Sequence, residues 1–161
     1  MENNDDKFIL MNMDDKRSKS IAEVTGADIA ELQYKNEKKS KGFMKYFKGG
    51  SEVMMKLKPE LLPLNKYPQD YELIFIGTPV WAGTYSSILN SFFYANRFKG
   101  KKIALFCCFG TGEGRTFENM IKMLRGNQIL GEIGFKEPLK KDKEQNIQNA
   151  KDWAKTIINK K

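Results

Sequence analysis

Two short segments hold the residues best suited to grip a ligand. The first, YELIFIGTPVWAGTYSS from Tyr71 to Ser87, sets Pro79, Gly83 and an aromatic residue, Trp81, just past an apolar run. The second, FGTGEG from Phe109 to Gly114, carries glycines at 110, 112 and 114. Backbone amides there can approach a flat or anionic ligand without side-chain interference, although glycines so spaced also serve as plain turn residues. No side chain stands out as an acid, base or nucleophile. The chain has no histidine, which removes Ser/His and Cys/His catalysis. Its only cysteines, Cys107 and Cys108, are adjacent, a poor basis for structural zinc. The chemistry on offer is therefore binding of a ligand.

The elements that must position these segments follow from the apolar pattern. Leu73-Ile74-Phe75-Ile76 is a continuous apolar run, as expected of a strand covered on both faces. Gly77 ends the run, Thr78 and Pro79 turn the chain, and Trp81 is left in a loop at the strand's carboxyl end. Thr84 or Ser86 can then cap a helix carrying Ile88, Leu89, Phe92 and Phe93. Lys102 to Cys108 reads as a second buried strand, followed by FGTGEG and a helix with Phe117, Met120, Ile121 and Leu124 at helical spacing. Consecutive strand, loop and helix units present their loops on one side, where open α/β sheets bind ligands. Within the strand, Cys107 and Cys108 point to opposite faces, so packing rather than a disulfide is expected.

TPVWAGTYSS after a buried strand, CCFGTGEGRTF one strand later and ILGEIGFKEPLKKD near the end resemble the flavodoxin family, in particular its small single-domain bacterial and archaeal members. The resemblance runs from about Thr25 to the C-terminus. It implies an α/β fold: a doubly wound, five-stranded parallel sheet in the order 2-1-3-4-5, with helices on both faces and flavin mononucleotide (FMN) held by three loops at the strand ends. Carried over position by position, Thr78, Pro79, Val80, Trp81, Ala82, Gly83, Thr84 and Tyr85 lie along the isoalloxazine ring, with Trp81 against its face. Phe109, Gly110, Thr111, Gly112, Glu113 and Gly114 line the other side. The implied function is an FMN-dependent electron-transfer protein or small flavin-dependent reductase.

The family's phosphate loop, of the form SxTGNT between the first strand and first helix, is missing. Lys7 to Asn12 reads as the first strand, and the segment from Met13 to Ile21 is too short for both a full loop and a full helix. On one reading Lys16, Arg17, Ser18 and Ser20 meet the phosphate, helped by the free amides and positive end of a short helix beginning near Ser18. On the other, Asp14 and Asp15 occupy the position and repel a dianion. The flavin site is then vestigial, and the fold serves as a binding or regulatory module.

The length of 161 residues suits one domain, 1–161, with a sizeable core. No stretch is apolar enough to cross a bilayer, and the acidic start (Glu2, Asp5, Asp6) does not resemble a signal peptide, so a cytoplasmic location without membrane contact is expected. Net charge is +8, and Lys35–Lys58 holds eight basic against two acidic side chains, a local +6. This balance points to an acidic redox partner protein or an anionic substrate through electrostatic steering. Lysines mixed with glutamates, and no recognisable motif, argue against nucleic acid.

Elsewhere, Asp28 to Leu32 reads as an edge strand. Phe43, Met44, Tyr46 and Phe47 read as one amphipathic helix, and Ser51 as the cap of another. Gln128 to Leu139 reads as the last strand, and Asp142 with Gln145 as a capping box for a final helix. Ile147, Ala150, Ala154, Ile157 and Ile158 form that helix's stripe, with Trp153 packing beside it.

Overall fold

The computed structural model describes residues 7–12, 16–35, 60–137 and 143–160. Its elements are β1 (Lys7–Met11), α1 (Lys16–Thr25), β2 (Asp28–Glu31), a 3-10 turn at Pro68–Asp70, β3 (Leu73–Trp81), β4 (Thr84–Tyr85), α2 (Ser87–Ala95), β5 (Lys102–Phe109), α3 (Thr116–Met123), β6 (Gln128–Lys136) and α4 (Lys143–Ile158). Five strands run parallel in the order β2-β1-β3-β5-β6. The two-residue β4 folds back antiparallel on the end of β3. The parallel strands alone reproduce the expected order 2-1-3-4-5.

Alternation along the central strands divides the core into two layers. Phe8, Leu10, Ile74, Ile76, Ile103, Leu105 and Cys107 face α2 and α3, meeting Leu89, Phe92, Phe93 and Met120. Ile9, Phe75, Ala104, Phe106 and Cys108 face α1 and α4, meeting Ile21, Ala150, Ala154 and Ile157. Each fully buried Phe or Ile adds about 1.5–3 kcal/mol relative to exposure, and covering both faces is what allows the continuous apolar runs of β3 and β5. Cys107 and Cys108 thus sit on opposite faces, neither of them in a disulfide. Trp153 packs edge-on against Phe75 and Phe106, with ring centroids 5.8 and 6.2 Å away.

Some boundaries differ from expectation. Gly77 does not end its strand; β3 continues to Trp81. Gly77 lies opposite Phe106 on β5, and a Cβ there would fall 2.1 Å from the Phe106 ring. The glycine therefore makes room for an aromatic ring within the sheet, and Trp81 is the last residue of a strand rather than part of a loop. The last strand closes at Lys136 instead of Leu139, after which the Glu137 N–H bonds to the Phe109 carbonyl (2.7 Å). Ile121 is exposed although its neighbours Phe117 and Met120 are buried; it faces out beside Arg125 and Glu132. The expected helices between residues 36 and 59, the expected Asp142 cap, and the Asp14 and Asp15 carboxylates lie outside the described residues. Among the described residues no helix is long and apolar enough to cross a membrane.

Candidate functional site

At the carboxyl edge of the sheet, β3 and β4 form a hairpin whose two turn residues both have positive φ: Ala82 at 50° and Gly83 at 75°. A two-residue hairpin turn of the I′ kind requires this geometry at both positions, because it matches the right-handed twist of the strands. Ala82 bears the strain of an L-residue in the left-handed region, about 1–2 kcal/mol. The base of the hairpin is pinned by Thr78, which is fully buried. Its hydroxyl donates to the Pro79 carbonyl (2.8 Å) and accepts the Ser86 N–H (3.1 Å). Tyr85 is also buried: its hydroxyl donates to Asn90 Oδ1 (2.9 Å) and its ring packs edge-on against Phe93. Burial pushes the Tyr85 phenol up to about 12, with Tyr94 adding to the effect. Thr78 and Tyr85 thus support the hairpin from below. Pro79, Val80, Trp81 and Thr84 are half-buried, and Ala82 and Gly83 are exposed at the tip.

The second loop is joined directly to this tip. The Arg115 N–H donates to the Gly83 carbonyl (2.8 Å), and Asn119 Nδ2 donates to Thr84 Oγ1 (2.9 Å). Gly114, at φ 57°, comes so close that a Cβ on it would lie 2.5 Å from the Gly83 carbonyl oxygen. Glu113 turns back toward β6, where a Cβ on Gly134 would meet its carboxylate at 2.0 Å and the Phe109 ring at 2.9 Å. Gly110 and Gly112 differ from these: both are exposed, and a Cβ on either would have nothing within 4 Å. The chain's own packing does not require glycine at these two positions. A ligand lying against the loop would.

The start of α1 separates the four residues expected to meet a phosphate. The helix begins at Lys16, so its free amides lie two residues earlier than anticipated. Lys16 is exposed. Ser18 is fully buried, and its Oγ has no hydrogen-bond partner, which leaves a polar group to be satisfied at a cost of about 1–3 kcal/mol. Arg17 and Ser20 are engaged elsewhere. The Arg17 guanidinium lies over the Phe135 ring (5.6 Å) with Nη2 3.4 Å from Glu137 Oε1, at the end of β6. The Ser20 hydroxyl donates to the Lys16 carbonyl (2.7 Å), one turn back.

Sequence reasoning passed over Asn12 and Asn119. The Asn12 amide donates to the Ser86 hydroxyl, so Ser86 stands at the cap position of α2 without bonding the helix through its side chain. Asn12 also borders a cavity of about 230 Å³ with Tyr34, Trp81 and Ile88. Its position at the end of an apolar strand was the available signal. For Asn119 none existed, since 35 residues separate it from Thr84. A cavity of about 720 Å³ lies elsewhere, between α2 and residues 60–68, and contains none of the expected site residues. Among the described residues no acidic, cysteine or histidine cluster could hold a metal.

The arrangement offers an aromatic side chain, an open glycine-bearing loop and the amino end of a helix along one edge of a parallel sheet. Comparisons with known proteins agree with the fold that carries these loops. A family model described as Flavodoxin matches residues 8–157. Among solved structures, a flavoprotein from Lactobacillus acidophilus in complex with FMN aligns at TM-score 0.62 and 17% identity, covering 81% of this chain and 93% of that one. A candidate flavoprotein from Bacteroides uniformis aligns at TM-score 0.74 and 18% identity, covering 95% and 99%. A flavodoxin from the domain Archaea aligns at TM-score 0.50 and 16% identity, covering 94% and 99%. Among curated proteins none matches.

Proposed function

The chain belongs to the flavodoxin family, and on that premise we propose that it binds FMN at the carboxyl edge of its sheet and works as an electron-transfer protein or small flavin-dependent reductase. The observation that carries this reading is the pair of joined loops: a hairpin with half-buried Trp81 beside a loop whose Gly110 and Gly112 leave space that no residue nearby fills. Bound FMN supplies the redox chemistry through its isoalloxazine ring. Trp81 offers that ring an aromatic face, and the Gly110–Gly112 backbone offers amides to its polar edge. At the other end, the first amides of α1, the Ser18 hydroxyl and the Lys16 ammonium take the phosphate, with the helix dipole favouring the anion. Ser20 shapes this helix end without touching the ligand, because its hydroxyl is held by the Lys16 carbonyl, and the Arg17 guanidinium, lying over Phe135 with only Nη2 toward Glu137, adds positive charge there.

The residues of the site bind and orient; they do not transfer protons. Cys107 lies beneath the second loop as a neutral thiol, its pKa pushed up to about 12 by burial and further by Glu113 and Glu132. An excess of eight positive charges supports an acidic protein as redox partner, with association that weakens as salt is added. The test is a visible absorption spectrum of the desalted protein, followed by fluorescence titration with FMN and riboflavin. Flavin colour, or FMN binding tighter than riboflavin binding, is the expected result. A colourless protein indifferent to both overturns the reading.

A further inference from the structure

Three contacts tie the hairpin to the second loop: Arg115 N–H to the Gly83 carbonyl, Gly114 against Gly83, and Asn119 Nδ2 to Thr84 Oγ1. The first two are backbone contacts that any sequence with glycine at 83 and 114 can make. The third is the side-chain hydrogen bond in the set. Asn119 sits one turn into α3, where its own N–H bonds the Arg115 carbonyl (2.9 Å), so a rigid helix holds its amide. Thr84 pairs with Trp81 across the hairpin. The bond from Asn119 therefore fixes the strand partner of the aromatic residue that the flavin reading places against the ring.

We propose that Asn119 is a positioning residue for the ring-binding slot. It anchors β4 to α3, and so sets the position of Trp81 relative to the Gly110–Gly112 backbone. This rests on the flavin reading above, and it adds a determinant of ring affinity that touches no part of the ligand. A residue acting on the slot must affect the ring without regard to the phosphate. The effects on FMN and on lumiflavin, which has neither ribityl chain nor phosphate, should therefore be equal.

The chemistry of the bond supplies its own control. In Asn119→Asp the carboxylate can accept from the Thr84 hydroxyl, restoring the bond with donor and acceptor exchanged. In Asn119→Leu the shape is kept and the bond is lost. The experiment is titration of wild type, N119D and N119L with lumiflavin and FMN, with the midpoint potential of bound FMN and the melting temperature recorded for each. N119L should bind both flavins about five-fold more weakly, as expected for the loss of one hydrogen bond, with a shifted potential. N119D should stay within about two-fold of wild type. In a Thr84→Val background, N119L should add no further loss, because the partner has already gone; this cycle also serves if N119L alone folds poorly. Unchanged lumiflavin affinity in N119L, equal losses in N119D and N119L, or additive losses with T84V would each overturn the assignment. A wild-type protein that binds neither flavin would instead overturn the flavin reading, and this inference with it.

Discussion

Replacing Gly114 with alanine should destabilise the protein, whereas the same change at Gly110 or Gly112 should not. A Cβ at 114 would stand 2.5 Å from the Gly83 carbonyl oxygen and 2.7 Å from its Cα, where ordinary contact begins at 3.4 Å. Both neighbours are backbone atoms, so no side chain can rotate away, and the loops must part by about 1 Å. Alanine at φ 57° adds strain of about 1–2 kcal/mol. Parting the loops also weakens the 2.8 Å Arg115-to-Gly83 hydrogen bond, worth about 1 kcal/mol. The sum is about 2–3 kcal/mol, which for a chain of this size lowers the melting temperature by about 5–10 °C. At Gly110 and Gly112 a methyl group meets nothing, and stability should stay within about 0.5 kcal/mol of wild type. Flavin affinity should nevertheless fall about ten-fold in G110A or G112A, because the methyl intrudes where the ring lies. Thermal and urea unfolding, with FMN titration of all three variants, make the comparison. G114A as stable as wild type would refute the loop contact; unchanged FMN affinity in both G110A and G112A would refute the placement of the ring.

Other perturbations test separate parts of the argument. Ser18→Ala removes a buried hydroxyl that has no partner, so it should leave stability unchanged or raise it by about 1 kcal/mol while weakening FMN but not riboflavin, as paired titrations would reveal. Gly77→Ala drives a Cβ into the Phe106 ring at 2.1 Å and should cost about 3 kcal/mol in urea unfolding, the ring being packed in the core with nowhere to turn. Cys107 has its pKa raised by burial from 9.0 to about 12. Its contribution to stability is therefore present in full below pH 9 and is lost as pH rises towards 12, since the unfolded thiol releases its proton first. Tyr85 adds the same sign between pH 10 and about 12. Stability followed by urea titration from pH 8 to 11 should decline; a flat profile contradicts both.

Much of the scaffold was legible in the residues themselves. Continuous apolar runs at Leu73–Ile76 and Ile103–Cys108 marked strands buried on both faces, and alternation assigned Cys107 and Cys108 to opposite layers. The glycine at 83 and the tryptophan at 81, just past an apolar run, pointed to the carboxyl edge as the place where a ligand would bind. These features are local: side-chain direction in a strand and the conformational freedom of glycine depend on the residue and its neighbours alone.

The sequence by itself therefore determined the five parallel strands, though not their ends, the covered faces of the central ones and the edge at which their loops meet. Tertiary structure alone decided what each glycine and each polar group does there. Gly77 read as a strand terminator because its reason for being glycine, the Phe106 ring, lies on another strand. Gly110, Gly112 and Gly114 look alike in sequence, yet only Gly114 presses against Gly83. Arg17 and Ser18 are neighbours in the chain, but helix geometry turns one toward Glu137 and leaves the other's hydroxyl without a partner. In each case the deciding contact joins residues far apart in the chain, so the position has a physical meaning only once the sheet has brought its strands together.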